Sequence, residues 1–151
     1  MKSLLILGAG GFGRMIKETA LALGYEEVLF LDDTAKDDDV IGRCCDYHLY
    51  HRDYSVAVAA FGNNKTRLFW TQKLLEEEYE VPAIVHPSAI VSPSVRLEPG
   101  CFIMQRAVVN MNTTIKMAAL INSGAVVDHD SIVEEGAHVG LGSVVKAHCV
   151  I

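Results

Sequence analysis

Hydrophobic residues in the C-terminal part of the chain recur at every sixth position. From residue 89 onward, the third residue of each block of six is a branched aliphatic residue. These residues are Val91, Leu97, Ile103, Val109, Ile115, Ile121, Val127, Val133, Val139, Val145 and Ile151. The first residue of each block is small or at most valine, as at Ala89, Cys101 and Ala125. A period of six fits neither an α-helix nor a simple strand.

Such a repeat predicts short extended segments that are joined by tight turns and wound into a parallel coil with three faces. Each coil then takes three successive blocks of six, one block for each face. The aliphatic column would point toward the axis, while residues near the corners, such as Gly124 and Asn112, suit a positive φ. Stacked coils satisfy one another's backbone amides, so a single coil has no stability of its own. The period does not give the hand of the coil.

Residues 1–82 follow a different pattern, in which apolar runs alternate with helical segments. Strands are expected at 4–7, 28–31 and 55–61, and helices at 12–23 and 65–80. Gly24 would end the first helix as a C-cap glycine. The alternation predicts a small, Rossmann-like parallel α/β sheet. We therefore expect two domains, residues 1–82 and 83–151, with the proline-containing segment 81–93 linking the sheet to the coil.

A glycine-rich loop follows the first predicted strand. Gly8, Gly10 and Gly13 satisfy the pattern G-x-G-x-x-G between a strand and a helix, and Gly11 lies within it. Glycines at these positions allow a tight turn and let backbone amides approach a diphosphate at the helix N-terminus. The alternative, which stays open, is a tight turn that binds no ligand.

Polar residues also follow the other two predicted strands. Asp32 and Asp33 lie about 20 residues after the glycine loop, where a carboxylate can hydrogen-bond a ribose hydroxyl or a base edge. The turn Gly62-Asn63-Asn64 ends the third strand. The carboxyl ends of parallel strands share one edge of a sheet, so these groups predict a nucleotide site. The domain lacks the second half that would hold a nicotinamide, which favours a nucleoside diphosphate over NAD.

Two of the six histidines carry candidate chemistry. His129 is placed near an outward corner of the coil, between Asp128 and Asp130. A flanking carboxylate can orient the ring and stabilise the imidazolium, as a general base requires. His138 follows half a coil later, so the two histidines could meet only across a subunit boundary or along an extended ligand. Neither a Ser-His-Asp pattern nor metal-ligand spacing is evident, which favours direct attack by a substrate amine or hydroxyl.

The composition of the chain limits the classes of binding partner that can be expected. The net charge of −6 and the pI near 5.4 oppose binding to nucleic acid or to an anionic membrane. No apolar run reaches the roughly 18 residues of a membrane span. The four cysteines lack metal-ligand spacing and are expected to be free, buried thiols in a cytoplasmic protein.

Taken together, these residues resemble the bacterial sugar O- and N-acetyltransferases of the sialic-acid and bacillosamine type, whose coils are left-handed parallel β-helices. The resemblance rests on the segments 8–13 (GAGGFG), 30–33 (FLDD), 61–64 (FGNN), 86–89 (HPSA) and 121–130 (INSGAVVDHD). It is greatest to the UDP-4-amino-sugar N-acetyltransferases. It implies acetyl-CoA as co-substrate, no permanently bound cofactor, and a homotrimer with active sites between subunits.

The resemblance also implies a role for each candidate residue. A uridine diphosphate would lie on Gly8, Gly10, Gly11, Gly13, Asp32, Asp33, Gly62, Asn63 and Asn64. His129 would deprotonate the sugar amine as it attacks the thioester, and Asp130 would orient His129. Acetyl-CoA would contact Asn122, His138 of a neighbouring subunit, and Ala147. Ala147 stands where relatives often have a glycine whose amide meets the thioester oxygen, and its N–H can do the same.

Two other functions stay open at this stage. One is O-acetylation of a free sugar of the sialic-acid type, and the other is a non-catalytic trimer that only binds a nucleotide sugar. An NAD-dependent oxidoreductase is disfavoured because no catalytic domain follows the sheet. The chain ends at Ile151 within a coil, which suggests a truncated chain or a short form that has lost CoA binding.

Overall fold

The computed structural model describes all residues, Met1–Ile151, and they form two compact units, Met1–Pro82 and Ala83–Ile151. The strands of the first unit are β1 (Ser3–Leu7), β2 (Glu27–Leu31), β3 (Val40–Gly42) and β4 (Ala57–Ala59). Its helices are α1 (Gly11–Ala22), α2 (Asn64–Glu76) and a 3-10 helix (Cys44–Leu49). None of the helices has both the length and the apolar character needed to cross a membrane.

The four strands form one parallel sheet in the order β3-β2-β1-β4. β1 is central, and the side chains of Leu4, Leu5, Ile6 and Leu7 are fully buried. A continuous apolar run suits a strand that is covered on both faces, as in α/β proteins. The predicted small parallel α/β sheet is confirmed. β3 and the 3-10 helix were not predicted, because both segments are short and their hydrophobic and polar residues follow no helical or strand periodicity.

The glycine loop packs α1 against β1 at close range. A Cβ at Gly13 would lie 1.8 Å from the carbonyl oxygen of Gly8, so only glycine fits there. Ile16 and Ala20, one turn apart, bury the inner face of the helix. α1 ends at Ala22, and Gly24 follows with φ of 95°, which agrees with its expected part in ending the helix.

The prediction of a helix over 65–80 was wrong at its C-terminal end. α2 ends at Glu76, and Glu78 adopts a positive φ of 64° that reverses the chain. Glu80 then lies beside the sheet, where its N–H donates to the carbonyl of Ser55 at 2.9 Å and its carbonyl accepts from Ala57 at 3.0 Å. These backbone hydrogen bonds at the sheet edge outweigh the helical preference of the acidic run.

The second unit is a coil of two-residue strands. These are β5 (Ile84–Val85), β6 (Ile90–Val91), β7 (Arg96–Leu97), β8 (Phe102–Ile103), β9 (Val108–Val109), β10 (Thr114–Ile115), β11 (Leu120–Ile121), β12 (Val126–Val127), β13 (Ile132–Val133), β14 (His138–Val139) and β15 (Val144–Val145). The prediction of a linker over 81–93 was wrong in part, because β5 and β6 already belong to the coil. Pro87 and Pro93 occupy turns between coil strands, where no ladder hydrogen bond is lost.

The strands form three parallel sheets, in the orders β13-β10-β7, β14-β11-β8-β5 and β15-β12-β9-β6. Each strand pairs with the strand three blocks of six away along the chain, as Ile121 pairs with Ile103 and Val139. The aliphatic column fills the axis together with small residues such as Ala107 and Ala119, which are fully buried. The predicted three-faced coil, with three blocks to a turn, is confirmed.

One outer face of the coil is apolar. On the β15-β12-β9-β6 sheet, the strand residues that alternate with the axial column are Ile90, Val108, Val126 and Val144. Ile90 is 67% exposed and Val144 is 70% exposed. We call these four residues the apolar face; β-branched side chains in such a row are unusual on a surface facing water.

Candidate functional site

The glycine loop leaves the N-terminus of α1 open. The N-cap residue is Gly10, which has no side chain that could cap the first turn, and α1 begins at Gly11. A Cβ at either residue would meet no atom within 4 Å. The N–H groups of a first helical turn and the helix dipole both favour an anion such as a diphosphate. The loop has the required form, and diphosphate binding stays a prediction.

Asp32 fastens the segments around this loop. Its Oδ2 accepts from the Ala9 N–H at 2.7 Å, and its Oδ1 accepts from the N–H groups of Thr34 and Ala35 at 2.9 and 2.8 Å. Burial alone would raise the pKa of Asp32, but these hydrogen bonds outweigh it and lower the pKa. Both oxygens are therefore engaged within the protein, and Asp32 organises the glycine loop. Its predicted contact with a ribose stays a prediction.

Asp33 borders a depression of about 460 Å³ at the end of β2. Its other charged lining residues include Lys36 and Arg43. Oδ1 of Asp33 accepts from the Cys44 N–H at 3.0 Å, which ties the depression to the 3-10 helix. Burial is the main cause that raises the pKa of the Cys44 thiol to about 12, so this thiol is an inert part of the structure beside the depression.

Asn63 and Asn64 shape the turn before α2. Oδ1 of Asn63 caps the helix by accepting from the N–H of Thr66 at 2.9 Å. Oδ1 of Asn64 accepts from Nη2 of Arg67 at 3.0 Å. Both asparagines thus have a structural part in the turn, and their predicted contact with the nucleotide stays a prediction.

Arg67 is a residue that sequence reasoning missed. Its side chain is fully buried, and Nη1 donates to the carbonyls of Phe61 at 3.0 Å and Gly62 at 3.4 Å. Burial lowers the pKa of Arg67 to about 10, so the guanidinium remains charged at neutral pH. It fixes the Gly62 turn from inside the protein. A single arginine in a polar helix carries no sequence signal of burial.

His129 lies in the turn after β12, between two carboxylates. Its Nδ1 lies 2.6 Å from Oδ2 of Asp130, and its backbone N–H donates to Oδ1 of Asp128 at 2.8 Å. Asn110, one coil earlier, donates to the same Asp128 oxygen at 2.9 Å. The side chains of His129 and Asp130 are 37% and 35% exposed. The imidazole is therefore held in place and accessible to a substrate.

The carboxylates favour the charged form of this imidazole. The hydrogen bond to Asp130 is the main cause that raises the pKa of His129. The same contact lowers the pKa of Asp130, so Asp130 is ionised at neutral pH. With Asp130 on Nδ1, we assign the proton of the neutral ring to that nitrogen. Nε2 is then the atom that can accept a proton, which is the arrangement of a general base.

His148 completes this corner of the coil and was not assigned a role from the sequence. It lies one coil after Asp130, and both residues have positive φ, 60° and 56°. Its backbone N–H donates to the carbonyl of His129 at 3.2 Å, and the two imidazole rings meet edge to face with centroids 5.3 Å apart. The spacing of one coil is the signal that could have found it.

A shallow depression of about 360 Å³ lies beside His129. It is lined by Ser92, Asn110, Met111, Asp128 and His129. Met111 stands one coil before His129, and the chain position one coil after it is Ala147. Ser92, Asn110 and Asp128 directly follow the strands of the apolar face, so the depression borders that face and presents the imidazole beside it.

Asn122 and His138 form a separate pair. Nδ2 of Asn122 lies 3.0 Å from Nε2 of His138. His138 belongs to β14, whose sheet is not the sheet of β12 that leads to His129. Within one chain, therefore, the structure brings Asn122 to His138 and leaves His129 at another edge of the coil. The contacts of these residues and of Ala147 with acetyl-CoA stay predictions.

Comparison with known proteins identifies the family of the chain. Residues 3–74 match the PglD N-terminal domain family. The chain is 30% identical, with a TM-score of 0.87, to a histidine-to-alanine mutant of GDP-perosamine N-acetyl transferase from Caulobacter crescentus, covering 95% of this chain and 71% of that one. That protein was solved in complex with CoA and GDP-perosamine.

A second similar structure is the acetyltransferase domain of PglB from Neisseria gonorrhoeae, in complex with acetyl coenzyme A. The identity is 27% and the TM-score 0.77, with 99% of this chain and 84% of that chain covered. WeeI from Acinetobacter baumannii, 15% identical with a TM-score of 0.67 and 99% and 94% of the two chains covered, shares the fold. With its α/β domain, its coil of hexapeptide repeats and these matches, the chain belongs to the sugar N-acetyltransferases of the left-handed β-helix class.

Proposed function

We propose that this protein transfers the acetyl group of acetyl-CoA to the amine of a nucleotide-linked amino sugar, with His129 as general base and Asp130 as the residue that orients it. The observation that carries the proposal is the 2.6 Å contact between His129 Nδ1 and the Asp130 carboxylate, at an accessible corner of the coil. The two similar acetyltransferases were solved with CoA and GDP-perosamine, and with acetyl coenzyme A.

The reaction follows from the protonation of this pair. The sugar amine attacks the thioester carbonyl carbon while Nε2 of His129 takes one proton from the nitrogen. Asp130, already ionised, stabilises the imidazolium that forms. The tetrahedral intermediate then expels the CoA sulfur, and the imidazolium returns the proton to the thiolate. An amide bond forms, the thioester bond breaks, and His129 is neutral again.

The nucleotide is proposed to occupy the first unit. The N-terminus of α1 offers N–H groups to the diphosphate, and the depression lined by Asp33, Lys36 and Arg43 offers one carboxylate and two cationic side chains to the rest of the ligand. The resemblance seen in the sequence favoured a uridine nucleotide, whereas the similar Caulobacter protein carries a GDP-linked sugar. We therefore propose a nucleoside-diphosphate amino sugar and leave the base to experiment.

We further propose that the protein is a homotrimer whose subunits cover the apolar face. A row of four β-branched side chains facing water is destabilising for a monomer, and burying it against another copy would favour assembly. The depression beside His129 borders this face. His138 lies on another sheet of the same chain, so a second subunit is the source from which it could approach His129.

The protein is proposed to act in the cytoplasm. All four cysteines, Cys44, Cys45, Cys101 and Cys149, are free thiols. Free thiols are typical of a reducing compartment. The expectation that all four would be buried holds for Cys44 and Cys101 only, because Cys45 is exposed and Cys149 is half-buried.

The decisive experiment measures CoA-thiol release with UDP- and GDP-linked 4-amino sugars as acceptors. We expect turnover with at least one of them, and His129→Ala should lower kcat by about 10²–10⁴, the usual contribution of a general base. His48→Ala removes an imidazole far from these residues in the chain and should leave kcat unchanged. Equal turnover of His129→Ala and the parent protein would exclude His129 from the mechanism.

A further inference from the structure

We propose that His129, Asp130 and His148 also form a binding site for a divalent transition-metal ion such as Zn²⁺, and that the bound ion blocks acetyl transfer. One ligand atom from each side chain lies within 4.8 Å of the other two. Neutral imidazole and carboxylate are ligands that Zn²⁺ binds at about 2.0–2.2 Å. The sequence showed no metal-ligand spacing because His148 joins the other two only through the stacking of successive coils.

The coil places the three residues in advance of any ion. Asp130 and His148 occupy the same corner position in successive coils, and both backbones are fixed at positive φ. The hydrogen bond from His148 N–H to the His129 carbonyl, 3.2 Å long, joins the remaining pair. Ligands around one tetrahedral ion lie about 3.4 Å apart. Nδ1 of His129 and Oδ2 of Asp130, now 2.6 Å apart, would therefore separate slightly to admit the ion, and the His148 ring would approach them by side-chain rotation.

The charge and chemistry of the cluster select the ion. Imidazole ligands suit Zn²⁺, Ni²⁺ and Cu²⁺, whereas Mg²⁺ prefers oxygen ligands and keeps its waters. Asp130 supplies one negative charge directly. Asp128 adds a second nearby, because the backbone N–H of His129 donates to its Oδ1. The two imidazoles thus favour a zinc-like ion over magnesium, while the two carboxylates supply negative charge that attracts a divalent cation.

The ion would occupy the place of the proton between Nδ1 of His129 and the Asp130 carboxylate. With the metal on Nδ1, the proton of the neutral ring is carried on Nε2 instead. Nε2 then has no lone pair to take a proton from the attacking amine, so the base is blocked. This inhibition rests on the proposed function of His129, whereas the binding of the ion does not.

The binding test is a calorimetric titration of Zn²⁺ into the full chain carrying Cys45→Ser, because the exposed Cys45 thiol could itself bind zinc. We expect one ion per chain. His148→Asn, a change that suits a positive φ, should weaken binding by about tenfold or more. His48→Ala is the matched control and should bind as the parent does, while Mg²⁺ should give no binding heat. Equal zinc affinity of His148→Asn and the parent would overturn the site.

A second measurement needs no variant and covers the case in which His148→Asn does not fold. Diethyl pyrocarbonate modifies accessible imidazoles, and mass spectrometry locates the modified residues. Saturating Zn²⁺ should protect His129 and His148 in the parent chain and leave His48 equally reactive. Unchanged modification of His129 and His148 would overturn the site.

Inhibition is measured separately, as acetyl transfer with and without saturating Zn²⁺. We expect at least tenfold slower transfer with Zn²⁺, and recovery when EDTA removes the ion. Zinc binding in a chain that acetylates no amino sugar would support the metal site and count against the proposed function. Full transfer activity with zinc bound would support the function and refute the block.

Discussion

Arg67→Met tests whether a buried guanidinium holds the turn proposed to bind the nucleotide. The substitution keeps a long, unbranched side chain in a fully buried position and removes the donors to the carbonyls of Phe61 and Gly62 and to Asn64. An unsatisfied buried acceptor costs about 1–3 kcal/mol. Removing a desolvated charge offsets part of this loss. We expect the free energy of unfolding to fall by about 1–3 kcal/mol.

The functional effect should be specific to the nucleotide. The Gly62 turn loosens in Arg67→Met, so we expect the KM for the sugar nucleotide to rise about tenfold while kcat changes less than twofold. Urea denaturation gives the stability, and the CoA-thiol assay gives KM and kcat. Arg67→Lys is the matched control: it keeps the charge without the planar fork and should recover only part of the stability. A variant as stable as the parent, with an unchanged KM, would refute this account of Arg67.

Three further predictions concern the contact between His129 and Asp130, the pH dependence of stability, and the assembly of subunits. Asp130→Asn keeps a residue that tolerates positive φ but removes the negative charge of the carboxylate that contacts His129 Nδ1. We therefore expect kcat to fall about 10–100-fold in the CoA-thiol assay with little change in KM; equal kcat would contradict the orienting role. The hydrogen bond from Arg14 is the main cause that lowers the pKa of Asp39 to about 2, below its unfolded value of 3.8. The ion pair therefore stabilises the fold fully above pH 4, by about 1–2 kcal/mol after allowing for solvent screening, and loses this effect as the pH falls from 4 to 2. Urea titrations of Asp39→Asn and the parent should differ at pH 6 and converge near pH 2. Val144→Lys charges the apolar face and should yield monomers in sedimentation, whereas a lysine in place of an exposed polar residue on another sheet should not; a trimeric Val144→Lys would exclude this face from the interface.

The coil could be predicted because its period is enforced by packing at every turn. A branched aliphatic residue from every block of six packs in the axis of the coil, so the sixfold period in the sequence reports the fold directly. The first strand and the glycine loop could also be predicted from the sequence. In the loop, Gly13 packs so close to Gly8 that no side chain fits, so glycine is required there. The pairing of His129 with Asp130 followed from their adjacency in a turn.

The remaining features depend on contacts that no local pattern records. Burial of Arg67 depends on the path of the turn around it, and the sequence of a polar helix does not reveal that path. The end of α2 depends on backbone hydrogen bonds between Glu80 and the sheet edge. His148 reaches His129 only because two corners with positive φ stack one above the other. In each case, tertiary structure decides what propensity leaves undetermined.

In the second unit, each strand residue stacks on its counterpart one coil earlier. The length of the coil domain is therefore set in steps of one whole coil. A deletion of one residue within a strand would turn every later aliphatic side chain away from the axis and misplace each corner that follows. Removal or duplication of a whole coil would instead preserve the pairing of every remaining strand and change only the number of coils. The length of this domain can therefore change only by whole coils. Shorter insertions are tolerated only as loops that project outward at a corner.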